Sequence, residues 1–150
     1  MEAYLIATAC TKFEKKADQT FKSLTEEVYC DLLKSAKVEN GDMIGQAWFG
    51  NCGMGTFGQN NIRGQVCFTP LVQKKLFPER VGIINVEGGC ATGSMAFHGA
   101  WKDVISGTED VSLAIGVEKI YQPNNPEKVQ EIYDGGIDQF DRNEWLDFYK

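Results

Sequence analysis

The feature that most limits what this chain can become is an alternation. Short apolar runs rich in β-branched residues take turns with longer segments of helical period. Residues 3–9 (AYLIATA), 43–50 (MIGQAWFG), 81–89 (VGIINVEGG) and 110–118 (DVSLAIGVE) read as four strands. Between the first two, residues 21–36 place Leu24, Val28, Leu32 and Leu33 near one face of a helix. Ser23 and Glu26 stand three apart, as in a capping box. Residues 51–68 open as a glycine-rich loop, and a helix is expected from near Gln59. Residues 72–80 read as a short helix or turn stopped by Pro78. A further helix runs from Ala91 to about Ser106, with Phe97, Ala100, Trp101 and Val104 on one face and Gly107 as its terminator. Strand and helix alternating in this way predict an α/β fold with a mixed, mainly parallel sheet and flanking helices. The character changes after Ile120, where the chain turns polar and aromatic with two prolines. This divides it into residues 1–120 and 121–150. Within the second part, DQFDRNEW lacks the spacing and the glycine of a calcium loop.

Charge and cysteine content narrow the function. The formal net charge is −6, and no run of Lys or Arg exceeds two, so the phosphate neutralisation that drives nucleic-acid binding is not supplied. No apolar stretch is long enough to span a bilayer, and the first residues lack the basic start of a signal peptide. The five cysteines are odd in number and widely spaced, without a CxxC. That argues against a disulfide framework and against a zinc site, and makes a reducing, cytoplasmic compartment the simplest expectation. Cys10, Cys30, Cys52 and Cys67 are expected to be buried small hydrophobes.

Cys90 is different. It follows Gly88 and Gly89 at the end of a strand and precedes a helix. Unpaired N–H groups at a helix start favour a thiolate and can hold an oxyanion on a thioester carbonyl. Gly88, Gly89 and Gly93 would let a substrate approach the backbone. The residues alone leave two readings open: a nucleophile, or a packing residue at a strand–helix junction. A base for the thiol is also missing. The single histidine, His98, lies eight residues along the same helix, roughly 12 Å away along its axis. A general base must come within about 3 Å of its proton. His98 therefore reads as a polar-face residue, and Glu87 is a weak base for a thiol.

Several segments are similar to the nucleophile-bearing half of the thiolase superfamily. VEGGCATGSMAFHGAWKDVISGTEDVSLAIGVEKI, residues 86–120, resembles the strand, Cys-Ala-(Ser/Thr)-Gly-Ser, helix, turn and Gly-x-Glu strand of that region. Gly58, Gln59 and Arg63 match its Gly-Gln-x-x-x-Arg stretch, and YLIATACTKF sits where its first strand and Thr-x-Phe turn lie. CATGS and GVEKI look most like the sterol-carrier-protein, or nonspecific lipid-transfer, branch. The resemblance implies a thiolase-like N-terminal half, with residues 121–150 beginning an inserted loop domain. It implies Cys90 as the acyl-accepting nucleophile, with its own N–H as an oxyanion donor. The activating histidine and a second cysteine would come from a second half, in the same or a separate chain.

By the same resemblance, Met54, Phe57 and Gly89 are candidates to touch substrate. Gly58, Gln59 and Arg63 would buttress the site or a dimer interface, and Glu118 would cap or pair. The reaction implied is acyl transfer on a 3-oxoacyl-CoA, some of them bulky or aromatic, with coenzyme A as co-substrate and no permanently bound cofactor. A homodimer and a zinc-ribbon/OB-fold partner subunit are further implications. The alternatives within the superfamily are a ketoacyl synthase, an aldolase, and a subunit that kept the fold without the chemistry.

Overall fold

A computed structural model describes residues 2–148. Helix α1 spans Phe21–Ala36, strand β1 Gln46–Gly50, α2 Arg63–Gln73, β2 Gly82–Val86, α3 Thr92–Ser106 and β3 Ser112–Gly116; α4 (Glu127–Asp134) and α5 (Arg142–Phe148) follow. The three strands form one sheet in the order β2-β1-β3, and every pairing is parallel, with Ala47 opposite both Ile83 and Leu113. The alternation in the sequence thus becomes two strand–helix–strand crossovers, with α2 linking β1 to β2 and α3 linking β2 to β3.

The period of two along β1 decides what covers each face. Phe49 points to α2: its ring meets Phe68 edge-on at 6.2 Å, and Gly64 of α2 lies against its side chain. Trp48 points the other way, onto α3 at Gly99. The α2 side is the thicker one, because α1 packs on α2 there. Phe68 is its hub, with Phe77 at 4.5 Å and Tyr29 at 6.1 Å. Burying such aromatic side chains supplies the largest apolar areas of the core. On the other face, Asp103 of α3 accepts from Trp48 Nε1 at 2.6 Å and from Ser112 Oγ at 2.7 Å, tying α3 to both β1 and β3. Phe97 and Trp101 are exposed on the flank of α3 that lines this side's groove, and Met95 is exposed on the opposite flank beside Gly88.

Three expectations need correction. Residues 3–9 form no strand. They run without regular structure, with Tyr4, Leu5 and Ile6 exposed, along one wall of a groove of about 480 Å³ bounded also by α1, α3 and β3. A strand exists only when a neighbour accepts its ladder, and among the described residues none does. The helix expected near Gln59 begins at Arg63, because Gly58 and Ile62 both take left-handed backbone and postpone it. Its end takes in Val72 and Gln73, and only the residues after them are turn. The capping box is Thr20 with Ser23 rather than Ser23 with Glu26. Ser23 N donates to Thr20 Oγ1 at 3.1 Å and Thr20 N to Ser23 Oγ at 2.8 Å, since the helix starts at Phe21. The expected α/β layer with flanking helices is present, and its sheet is parallel throughout among the described residues. The expected stop of α3 is met: Gly107 takes φ 73° and returns its N–H to Asp103 and Val104.

Candidate active site

Parallel strands end together, and the loops at their carboxyl ends share one rim. After β1 the chain makes a short 3-10 turn, Gly53–Phe57; after β2 it makes another, Gly89–Ala91, before α3; after β3 it continues through Val117 and Glu118. Cys90 lies in the second turn and is exposed. Gly89 before it has φ 57°, a left-handed conformation open to glycine at no steric cost, and a side chain built there would meet nothing within 4 Å. Gly88 is closed by comparison, because an added Cβ would fall 2.2 Å from Met95 Sδ. Glu87 folds back and accepts from Gly89 N at 2.7 Å, so its carboxylate is engaged in holding the turn.

Thr92, the first residue of α3, is buried and makes the central contacts of the rim. Its Oγ1 accepts from Gly88 N at 2.9 Å and donates to Gly89 O at 2.7 Å. Cys52 Sγ, from the loop after β1, lies 3.0 Å from Thr92 Oγ1 and 3.1 Å from Gly89 O. The Cys52 loop is fixed from two sides. Glu118 accepts from Cys52 N at 2.9 Å and from Gly53 N at 3.1 Å, and also from Asn51 Nδ2 at 3.2 Å. Arg63 Nη1 donates to Asn51 O at 2.7 Å. Burial pushes the Cys52 thiol pKa up; the carboxylates of Glu118 and Glu87 act in the same direction, while the Thr92 hydrogen bond opposes them.

The residues singled out in the sequence fall into two groups. Cys90, Gly89, Arg63 and Glu118 come to one rim. Arg63 and Glu118 hold backbone there, Glu118 as the cap of the turn that follows β1. Met54 is buried in the core and Phe57 packs on Phe21 at 5.7 Å. Gly58 closes the 3-10 turn in left-handed backbone, and Gln59 Nε2 donates to Asn61 O at 2.5 Å. His98 is exposed on α3 and stacks on Trp101 at 5.5 Å. Of the cysteines expected to be buried, only Cys67 is. Cys30 and Cys52 are half-buried, and Cys10 is exposed on the unpaired N-terminal segment. Cys52 and Thr92 were not legible as a pair, since forty residues separate them and their contact depends on parallel pairing of β1 with β2. Among the described residues no cluster of three or more His, Cys, Asp or Glu could hold a metal ion, and no helix is long and apolar enough to cross a membrane.

These features define an α/β chain that presents an exposed cysteine on a glycine turn at the carboxyl end of a parallel sheet. The sequence matches the thiolase N-terminal domain over residues 3–141, and the chain belongs to that family. A benzoylsuccinyl-CoA thiolase subunit of Thauera aromatica is 32% identical over 117 residues, which take in 78% of this chain and 28% of that protein. An acetyl-CoA acetyltransferase of Methanocaldococcus jannaschii is also 32% identical over 117 residues, covering 77% of this chain and 28% of that protein. A second acetyl-CoA acetyltransferase, from Methanothermobacter thermautotrophicus, is 28% identical over 127 residues, 81% of this chain and 30% of its own. The chain therefore spans under a third of the length of these relatives.

Proposed function

We propose that this chain supplies the nucleophile half of a thiolase-type acyltransferase. The Cys90 thiolate attacks the keto carbon of a 3-oxoacyl-CoA and forms a C–S bond, and the carbonyl electrons pass to oxygen. Collapse of that oxyanion breaks the bond between C2 and C3. The enolate of the shorter acyl-CoA leaves and takes a proton at C2. Coenzyme A then attacks the Cys90 thioester, accepts the acyl group and returns the thiolate. Covalent catalysis splits one hard carbon–carbon cleavage into two easier steps. The reverse sequence is a Claisen condensation.

The observation that carries this reading is the exposed Cys90 on its glycine turn, beside a left-handed Gly89 that leaves open space for substrate. Family membership supports the reaction class. Coenzyme A thioesters are the substrates, and the chemistry requires no permanently bound cofactor. A bulky or aromatic acyl group and the sterol-carrier-protein branch are our finer readings. A relative named for benzoylsuccinyl-CoA supports the first of them. Gly89 lies where substrate would pass; Met54 and Phe57, packed as they are, would shape its surroundings from behind.

The histidine that activates Cys90 and the second acid/base cysteine come from a second thiolase half, in this or another polypeptide. The exposed Phe97 and Trp101 of α3, with Tyr4, Leu5 and Ile6 of the N-terminal segment across the same groove, suit burial in such an assembly. A homodimer, a zinc-ribbon/OB-fold partner, a cytoplasmic location and a loop domain beginning at residue 121 belong to the same reading. Its test is thiolytic cleavage of a 3-oxoacyl-CoA by the assembled protein. Cys90→Ser is expected to abolish turnover with the fold intact by circular dichroism; turnover that survives Cys90→Ala would refute the assignment.

A further inference from the structure

We propose that Cys52 is a positioning residue for Cys90: with Thr92 it clamps the carbonyl of the Gly89–Cys90 peptide and so aims the Cys90 N–H outward at the reacting oxyanion. This rests on the reading of Cys90 as the acyl-accepting nucleophile.

Three donors converge on Gly89 O. They are Thr92 Oγ1 at 2.7 Å, Cys52 Sγ at 3.1 Å and the Thr92 backbone N–H. The Cys52 thiol has a single proton, within reach of both Gly89 O and Thr92 Oγ1. Thr92 has one hydroxyl proton; once given to Gly89 O, its lone pairs are free to accept from Gly88 N. Cys52 then supplies a donor only while its thiol keeps its proton, and its burial and the nearby carboxylates hold that proton on.

The carbonyl they grip is one half of a planar peptide unit. The other half is the Cys90 N–H, which in a trans peptide points the opposite way. Fixing Gly89 O against the buried Thr92 therefore turns the Cys90 N–H away from Thr92 and toward the exposed side of the turn. Donors on the carbonyl also polarise the peptide and make its N–H a stronger donor.

The post that carries Cys52 is rigid. Its backbone is held by Glu118, and the residue before it by Arg63. Gly50, at the end of β1, brings the strand so close that an added Cβ would sit 2.9 Å from Thr92 Cγ2. A valine at position 52 would fill the space of the thiol without its proton, and a serine would restore a donor. The role lies in that proton rather than in volume.

The test compares two reactions of Cys90 in the assembled protein and its Cys52→Val and Cys52→Ser variants. Acylation by acetyl-CoA passes through an oxyanion; alkylation by iodoacetamide is a displacement at carbon that forms none. Cys52→Val is expected to slow acylation by about threefold to tenfold, the worth of one hydrogen bond. Alkylation should stay within about twofold, and Cys52→Ser should recover most of the acylation rate. Equal slowing of both reactions, or no slowing of acylation, overturns the clamp. Alkylation without any acylation in the unsubstituted protein overturns the acyl-transfer reading instead. In that event the amide proton resonance of Cys90 still judges the clamp. An upfield shift in Cys52→Val, reversed in Cys52→Ser, supports it; an unmoved resonance refutes it.

Discussion

Helix α3 carries the Cys90 turn, and its seat on the sheet is set by one glycine. A Cβ at Gly99 would lie 2.4 Å from Trp48 Cδ2, 2.5 Å from Cε3 and 2.6 Å from Cε2. The indole cannot swing aside freely, because its Nε1 donates to Asp103 Oδ2 at 2.6 Å. Gly99→Ala must therefore push α3 off the sheet or pull Trp48 from Asp103. Overpacking of this kind costs about 2 kcal/mol. Weakening a hydrogen bond to a carboxylate adds about 1 kcal/mol. The better helix propensity of alanine returns about 1 kcal/mol. The net expectation is a loss of about 2 kcal/mol, or about 4–8 °C in Tm for a chain of this length.

Gly93, on the same helix, is the internal control. An added Cβ there meets nothing within 4 Å, so Gly93→Ala should be neutral or stabilising by up to about 1 kcal/mol. Urea unfolding followed by far-ultraviolet circular dichroism measures both. A double-mutant cycle with Trp48→Val should remove most of the Gly99→Ala penalty. A Gly99→Ala protein as stable as the unsubstituted chain would refute the close seating of α3 on β1.

Two further outcomes are expected. Glu118→Ala leaves the Cys52 and Gly53 N–H groups without their carboxylate, and because Glu118 is exposed water replaces part of it. The loss should be about 1–2 kcal/mol in urea unfolding, and smaller for Glu118→Gln, which keeps an acceptor. Tyr29 is buried, donates to Leu76 O at 3.0 Å, and has its phenol pKa raised chiefly by burial. Its contribution is whole below about pH 10, where the unfolded phenol still holds its proton, and is lost as pH rises beyond that. Stability should thus fall by about 1.4 kcal/mol per pH unit above pH 10, and Tyr29→Phe should flatten that slope.

What could be read from the sequence was local or periodic. Helices α1 and α3 carry their faces in spacing alone, and Gly107 marks the end of α3 because a left-handed cap is a property of one residue. Residues 3–9 differ for the converse reason: Tyr, Leu, Ile and Ala state a preference for a strand, but a strand needs a neighbour's ladder, and none among the described residues pairs with them. The start of α2 was misplaced because left-handed backbone at Ile62, a β-branched residue, has no composition signal. Cys90 stood out through its flanking glycines. The residues that hold its turn did not. Cys52 meets Thr92, and Glu118 meets Cys52, only because three parallel strands end at one rim, and that closeness belongs to topology.

The central claim is that Cys90 accepts the acyl group. The most direct measurement is the intact mass of the assembled protein, quenched in acid shortly after mixing with a 3-oxoacyl-CoA and followed by peptide mapping. The account predicts a mass gain equal to the acyl group, carried on the peptide that contains Cys90, discharged by free coenzyme A and absent in Cys90→Ser. An acyl group found on another residue, or turnover with Cys90 unmodified and dispensable, would contradict it.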